Sequence, residues 1–170
     1  KFVGTISGFN DPYGVAFAPN GAYAYIANIH NGNGAVSIVN TSTSKIVSEI
    51  STPSGNLPWG VAFAPNGAYA YVITEYYDVS SNSYNYEINI LNTSTSKFVG
   101  TISGFNDPYG VAFAPNGAYA YVTNEGNGTL SIVNTSTSKI VETISGFNDP
   151  IGVAFAPNGA YAYITNYYNG

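Results

Sequence analysis

Carboxylates recur at one point of this sequence: Asp11, Asp107 and Asp149 each follow Asn and precede Pro, with Gly two residues further on. One such carboxylate per repeat, brought to a common rim, would suit cation binding or acid–base work. Leu57 occupies the equivalent position in the second repeat and would break such a ring. Asx-type bonding before Pro accounts for these residues without any ligand, and the turn-shaping reading is preferred. The single histidine, His30, lies in a Gly/Asn-rich stretch read as a loop. One His without Cys or clustered carboxylates does not compose a usual zinc site. No HExxH, Walker, GxSxG or GxGxxG pattern occurs, and Ser7 in GTISGF has the wrong spacing for a nucleophile elbow. No catalytic residue, metal ligand or cofactor is assigned, and the chain is expected not to be an enzyme.

Two other groups of residues have chemical potential. Asn40, Asn92 and Asn134 each open an Asn-x-Ser/Thr sequon, always between the third and fourth strand of a repeat, and Asn127 opens another in a loop. They are candidate glycosylation sites if the protein is exported; otherwise the Asn-Thr-Ser phrase is a polar turn with local backbone bonding. The stretch 76–87, YYDVSSNSYNYE, reads as a long loop. Asp78, Ser80 and Asn82 alternate as at the start of a calcium loop, but the Gly and the terminal Glu are missing. Tyr76, Tyr77, Tyr84 and Tyr86, joined by Trp59 on the same rim, offer flat adaptable contact area for a partner or glycan. A solvated insertion, and for Trp59 a larger ring in a structural slot, are the competing readings.

The elements that must position these residues follow from repetition. GVAFAPNGAYAY occurs four times, at Gly14, Gly60, Gly110 and Gly152. The phrase NTSTSK ends at Lys45, Lys97 and Lys139, and Lys1 falls at the same point of the cycle, giving repeats of 44, 52 and 42 residues. Such periods with four strands each are the mark of propeller blades. The segments alternate rather than follow helical spacing. The predicted strands of one cycle are 14–18, 22–26, 36–40 and 46–50, with Pro19-Asn20-Gly21 as the tight turn. Tyr23 and Tyr25 face one way and Ala22, Ala24 and Ile26 the other, which suits sheets stacked ring-on-small-residue. The extra length of the 52-residue cycle falls between strands.

Composition narrows the partners. Charged residues are only 8% of the 170, the net charge is −5, and the four cations are all Lys, so there is no basic patch for nucleic acid. Cys is absent, and no apolar run approaches a membrane span. The start at Lys1 and the lack of a signal peptide fit a mature or excised segment.

AYVTN at 120–124 and AYITN at 162–166, each after GVAFAPNG, resemble the YVTN-type β-propeller repeats. The resemblance spans nearly the whole chain, although AYIAN at 24–28 and AYVIT at 70–74 depart from the motif. It implies a propeller fold and the setting in which such repeats are common, archaeal surface-layer and other extracellular proteins. The expected architecture is therefore all-β: about four blades of four antiparallel strands in one array over 1–170, with repeat starts near 1, 45, 97 and 139. A fourth-type strand at 2–6 precedes three complete blades, and two strands follow them. We expect a longer polypeptide, or self-association, to cover the open Tyr, Val and Phe faces. The expected function is a non-enzymatic structural or adhesion protein of a surface layer, sheath or filament. The alternatives are a glycan- or protein-binding module using rim loops and a lactonase-like or oxidoreductase propeller enzyme.

Overall fold

The computed structural model describes residues 4–30 and 32–168, and these form an all-β array. The first sheet holds β1 (Pro12–Phe17), β2 (Tyr23–His30), β3 (Asn33–Asn40) and β4 (Lys45–Ser51). The second holds β5 (Leu57–Phe63), β6 (Tyr69–Asp78), β7 (Ser83–Asn92) and β8 (Lys97–Ser103). The third holds β9 (Pro108–Phe113), β10 (Tyr119–Asn124), β11 (Thr129–Asn134) and β12 (Lys139–Ser145). β13 (Pro150–Phe155) and β14 (Ala162–Asn166) form a two-stranded fourth sheet. Every pairing is antiparallel and between sequence neighbours, so each sheet is a meander built from one repeat.

The turns explain the repeated phrases. In Pro19-Asn20-Gly21 the Gly21 amide donates to the Ala18 carbonyl at 2.8 Å and Asn20 Oδ1 accepts from the Ala22 amide at 3.0 Å. Gly21 sits at φ +70°, left-handed backbone that glycine enters without steric cost. In the Asn-Thr-Ser-Thr-Ser turn Asn40 Oδ1 accepts from the amides of Ser42 and Thr43. The Thr41 hydroxyl donates to Gly21 O at 2.6 Å, which ties the two turns together on one face of the array. The Asp-Pro turns and the β2–β3-type hairpins lie at the opposite strand ends.

Blades stack as the ring-against-small-residue pattern requires. Tyr25, Tyr71 and Tyr121 of one blade meet Phe63, Phe113 and Phe155 of the next, with ring centroids 4.6–4.7 Å apart. Around these contacts Val36, Ile38 and Ile50 pack on Val61, Val72 and Leu91, and Ile73, Ile88 and Ile102 pack on Val111, Val122 and Val133. Innermost strands approach so closely that a Cβ on Gly14 would lie 2.8 Å from the Gly60 Cα, and one on Gly110 2.6 Å from the Ile151 carbonyl oxygen. That contact is why Gly14 and Gly110 are needed in β1 and β9.

The first strand expected, 2–6, is not realised. Lys1, Phe2 and Val3 lie outside the described residues, and 4–9 are not strand. The same sequence at 97–103 becomes β8 because β7 is there to pair with it. Ile6 and Phe9 nevertheless pack on Ala24, Ile26, Val39 and Ile46, as Ile102 and Phe105 do on the third blade. The stretch 76–87 is also not a loop. It prolongs β6 and β7 into a ten-residue-per-strand hairpin whose pairing runs to Asp78 and Ser83, leaving 79–82 as the tip. His30 likewise ends β2, in register with Asn33, instead of lying in a loop.

Candidate active site

The buried polar positions define how the rim is held. Asn124 is buried at the end of β10; its Oδ1 accepts from the Asn106 amide at 3.2 Å while its Nδ2 donates to Thr129 and Ser131. Asn28 makes the equivalent bonds to Asn10 and Ser37. The second blade carries Thr74 there, and the network is rebuilt: Asn89 Nδ2 donates to Thr74 Oγ1 and Glu87, and Asn56 Nδ2 also donates to Glu87. The departure AYVIT is thus compensated by Asn56, Glu87 and Asn89.

One residue beyond that position the repeats diverge: Ile29, Glu75, Glu125 and Tyr167. Glu75 stands on β6 in register with Leu57 on one side and Tyr86 on the other. Asp107, just before β9 of the next blade, is held at φ +49°. Its carbonyl accepts the Glu125 amide at 2.9 Å. Burial pushes the Glu75 carboxyl above its ordinary range and the Asp107 charge pushes it further, while the Trp59 N–H offsets part of the rise. That indole N–H is buried and has no well-formed hydrogen bond among the described residues. Burial, then Asp107 and Asp149, likewise raise Glu125. Burial, then Asp107 and Glu75, raise the Tyr86 phenol. Carboxylates from three successive blades therefore share one field, and a half-buried acid with an upward-shifted pKa suits general-base work. Among the described residues no group of three or more His, Cys, Asp or Glu side chains is placed to hold a metal ion.

Beside this cluster the innermost strands line a groove of about 290 Å³, walled by Tyr13, Trp59, Tyr109, Val15, Val61 and Val111. Trp59 packs on the second core with its ring 4.3 Å from that of Tyr13. The other aromatic candidates separate. Tyr76, Tyr77 and Tyr84 are exposed on the hairpin, with Tyr77 and Tyr84 edge-to-face at 5.1 Å, whereas Tyr86 is half-buried beside Glu75 and Asp107. Asp78 accepts from the Ser80 amide and hydroxyl and from Ser81, so its oxygens close the hairpin tip. Asp11, Asp107 and Asp149 all have φ of +45° to +49°, the left-handed turn geometry that Asp and Asn tolerate. Asn40, Asn92 and Asn134 use Oδ1 within their turns, and Asn127 Oδ1 accepts from Thr129. Glu75, Glu125 and the Glu75–Asp107–Tyr86 grouping were not foreseen. The signal available was the divergence of Ile29, Glu75, Glu125 and Tyr167 directly after a repeated phrase.

Stacked four-stranded meanders around a common line of innermost strands define a β-propeller. Residues 15–169 match the family described as Lactonase, 7-bladed beta-propeller, and the chain belongs to that family. No curated protein matches it. Among solved structures it is similar to Kuenenia stuttgartiensis hydrazine synthase (TM-score 0.73, 21% identity, 92% of this chain and 42% of that one). It is also similar to a functionally unknown protein from Desulfotomaculum acetoxidans (TM-score 0.70, 18% identity, 94% and 50%). The RRP9 WD40 repeats give a TM-score of 0.70 at 17% identity, over 87% and 43%. The chain spans half or less of the length of these structures, and the likeness is one of fold.

The family match overturns the expectation that the array is not an enzyme. That expectation rested on the lack of catalytic motifs in a repeated sequence whose segments 1–24 and 97–120 are identical. The identity covers the repeated frame, Asp107 included, whereas Glu75 and Glu125 stand just past the second-strand phrase, where the repeats differ.

Proposed function

We propose that this chain supplies part of a propeller hydrolase that opens a cyclic ester, with Glu75 as general base. The observation that carries this reading is the meeting of Glu75, Asp107 and Tyr86 from adjacent blades beside an aromatic-walled groove. Glu75 takes a proton from water, and the oxygen adds to the lactone carbonyl. The ring C–O bond then breaks, its electron pair leaves on the alkoxide, and that oxygen takes the proton back from Glu75. Asp107 keeps the Glu75 proton affinity high, and Tyr86, its pKa raised, stays protonated as a donor. Further blades would complete the seven-bladed ring of the family.

The test is hydrolysis of glucono-δ-lactone and of γ-butyrolactone by the chain and its Glu75→Gln variant. A general base contributes ~10²–10⁴-fold, so the variant should lose that much. The rate should climb with pH across a midpoint above the ordinary carboxylate range, because the ionised form is the active one. Rates equal to buffer, or an unaffected variant, reject the assignment.

The exposed Tyr76, Tyr77 and Tyr84 on the hairpin favour a second reading, a partner-contacting rim on an exported, surface-located propeller of the YVTN type. In that setting Asn40, Asn92, Asn127 and Asn134 carry glycans. The intact mass of native material tests this: unmodified Asn residues remove the glycans, and deletion of 77–84 without loss of binding removes the rim.

A further inference from the structure

Two clefts lie between neighbouring blades on the face opposite Glu75, and they are copies of one another. The cleft between the first and second blades has a volume of about 390 Å³; that between the second and third, about 520 Å³. Position by position Tyr23, Tyr25, Val47 and Phe63 of the first correspond to Tyr69, Tyr71, Val99 and Phe113 of the second. The hydroxyl rim corresponds too: Thr93 and Ser96 against Thr135 and Ser138. Ser48 in the smaller cleft is Gly100 in the larger, which leaves the larger one roomier.

The chemistry of these walls selects a ligand. None of the lining side chains is charged. Tyr25 and Tyr71 are buried as the floor, while Tyr23 and Tyr69 are 40% and 41% exposed and leave ring surface open to the cleft. The hydroxyl protons of Thr93 and Thr135 are committed to the carbonyls of Gly67 and Gly117, both bonds at 2.6 Å, so their oxygens face a ligand as acceptors. Asn20 and Asn66 spend Oδ1 on the amides of Ala22 and Ala68, which leaves their NH₂ groups to donate. A flat aromatic wall, neutral surroundings, acceptor hydroxyls and amide donors match a ring with an apolar face and a hydroxylated edge.

We propose that the inter-blade clefts are repeated binding sites for a neutral oligosaccharide, one pyranose unit stacking on Tyr23 or Tyr69 in each. The sites are separate from the Glu75 region and stand whether or not that region is hydrolytic.

The third blade tells how to test this without unfolding the chain, because it carries Glu142 where the others carry Ser48 and Gly100. Glutamate is thus tolerated by the strand at that position, and a Cβ on Gly100 would meet only the Ile90 Cδ1, at 3.5 Å. Titration calorimetry of the 170-residue chain with cellohexaose, mannohexaose and chitohexaose should give saturable binding of one of them at two sites. Gly100→Glu should halve the stoichiometry, Ser48→Glu with Gly100→Glu should abolish it, and Tyr69→Ala should weaken the larger site at least tenfold. Glu75→Gln should leave binding unchanged. Absence of saturable binding for all three sugars, or stoichiometry unaltered in the doubly substituted chain, overturns the proposal. A mannohexaose signal removed by Glu75→Gln but not by Gly100→Glu would also overturn it, by placing the sugar in the acidic region.

Discussion

Glu75 binds its proton more tightly in the folded chain than in the unfolded one, because burial and Asp107 both disfavour the carboxylate. The linkage sign follows: the folded state is relatively favoured below the ordinary glutamate pKa, and that advantage is lost as pH rises through the raised folded value. Glu75→Gln should therefore melt higher than the parent at pH 8 and level with it near pH 3.5, by calorimetric scans at both pH values. A variant that melts lower at pH 8 would mean that Glu75 makes a favourable charged contact instead. Asn124 makes the opposite case, a buried side chain with its donor and acceptor groups both used. Asn124→Ala removes the partner of the Asn106 amide and of the buried Ser131 hydroxyl, and should cost about 2–3 kcal/mol in urea denaturation. At the second blade the corresponding burden falls on Asn56, so Asn56→Ala should be destabilising although it lies outside the repeated phrase.

Element by element, the β6–β7 hairpin extends furthest beyond the shared blade frame, and past Glu75 its side chains mostly face solvent. Its tip is closed by Asp78, and Tyr77 packs on Tyr84 across the pair. Such a pair is worth about 0.5–1.5 kcal/mol. Tyr84→Ala should speed amide exchange at Tyr76 and Tyr77 about tenfold while leaving the global denaturation midpoint in place, since local opening is separable from unfolding. A shifted midpoint would show that the hairpin is part of the cooperative core. The sequence makes the blades themselves plain, because GVAFAPNGAYAY alternates by two and carries its own Asn-Gly turn. It hides this hairpin, because Tyr, Asn, Asp and Ser serve a solvated strand as well as they serve a loop. The acidic site was hidden for a different reason. Glu75 acquires its raised pKa from burial and then from Asp107, both of which arise through packing between blades, and no local window joins them. At the other end, the strand expected at 2–6 shows that an identical sequence becomes β8 only where a neighbouring strand offers its hydrogen bonds.

Across the whole molecule, the same interface is used repeatedly: a Tyr from one blade enters beside a Phe from the next. Phe17 is the member of that series on the first blade, 65% exposed, and Tyr163 is the corresponding ring on the last, 68% exposed. The array thus presents a Phe-bearing face at one end and a Tyr-bearing face at the other, the two halves of the contact that holds its interior blades together. Removing an interior ring should be costly even where, like Phe113, it is only partly buried: Phe113→Ala should destabilise by about 2–3 kcal/mol, below the value for a fully buried ring. Phe17→Ala should leave the denaturation midpoint nearly unchanged, because that ring is mostly in water. Its effect should fall on association: complementary end faces join head to tail, so light scattering of the parent chain should show mass growing with concentration and Phe17→Ala should suppress that growth. If Phe17→Ala destabilises the chain as much as Phe113→Ala does, the first blade's face is covered within a single chain, and stacking of blades onto that face from outside is ruled out.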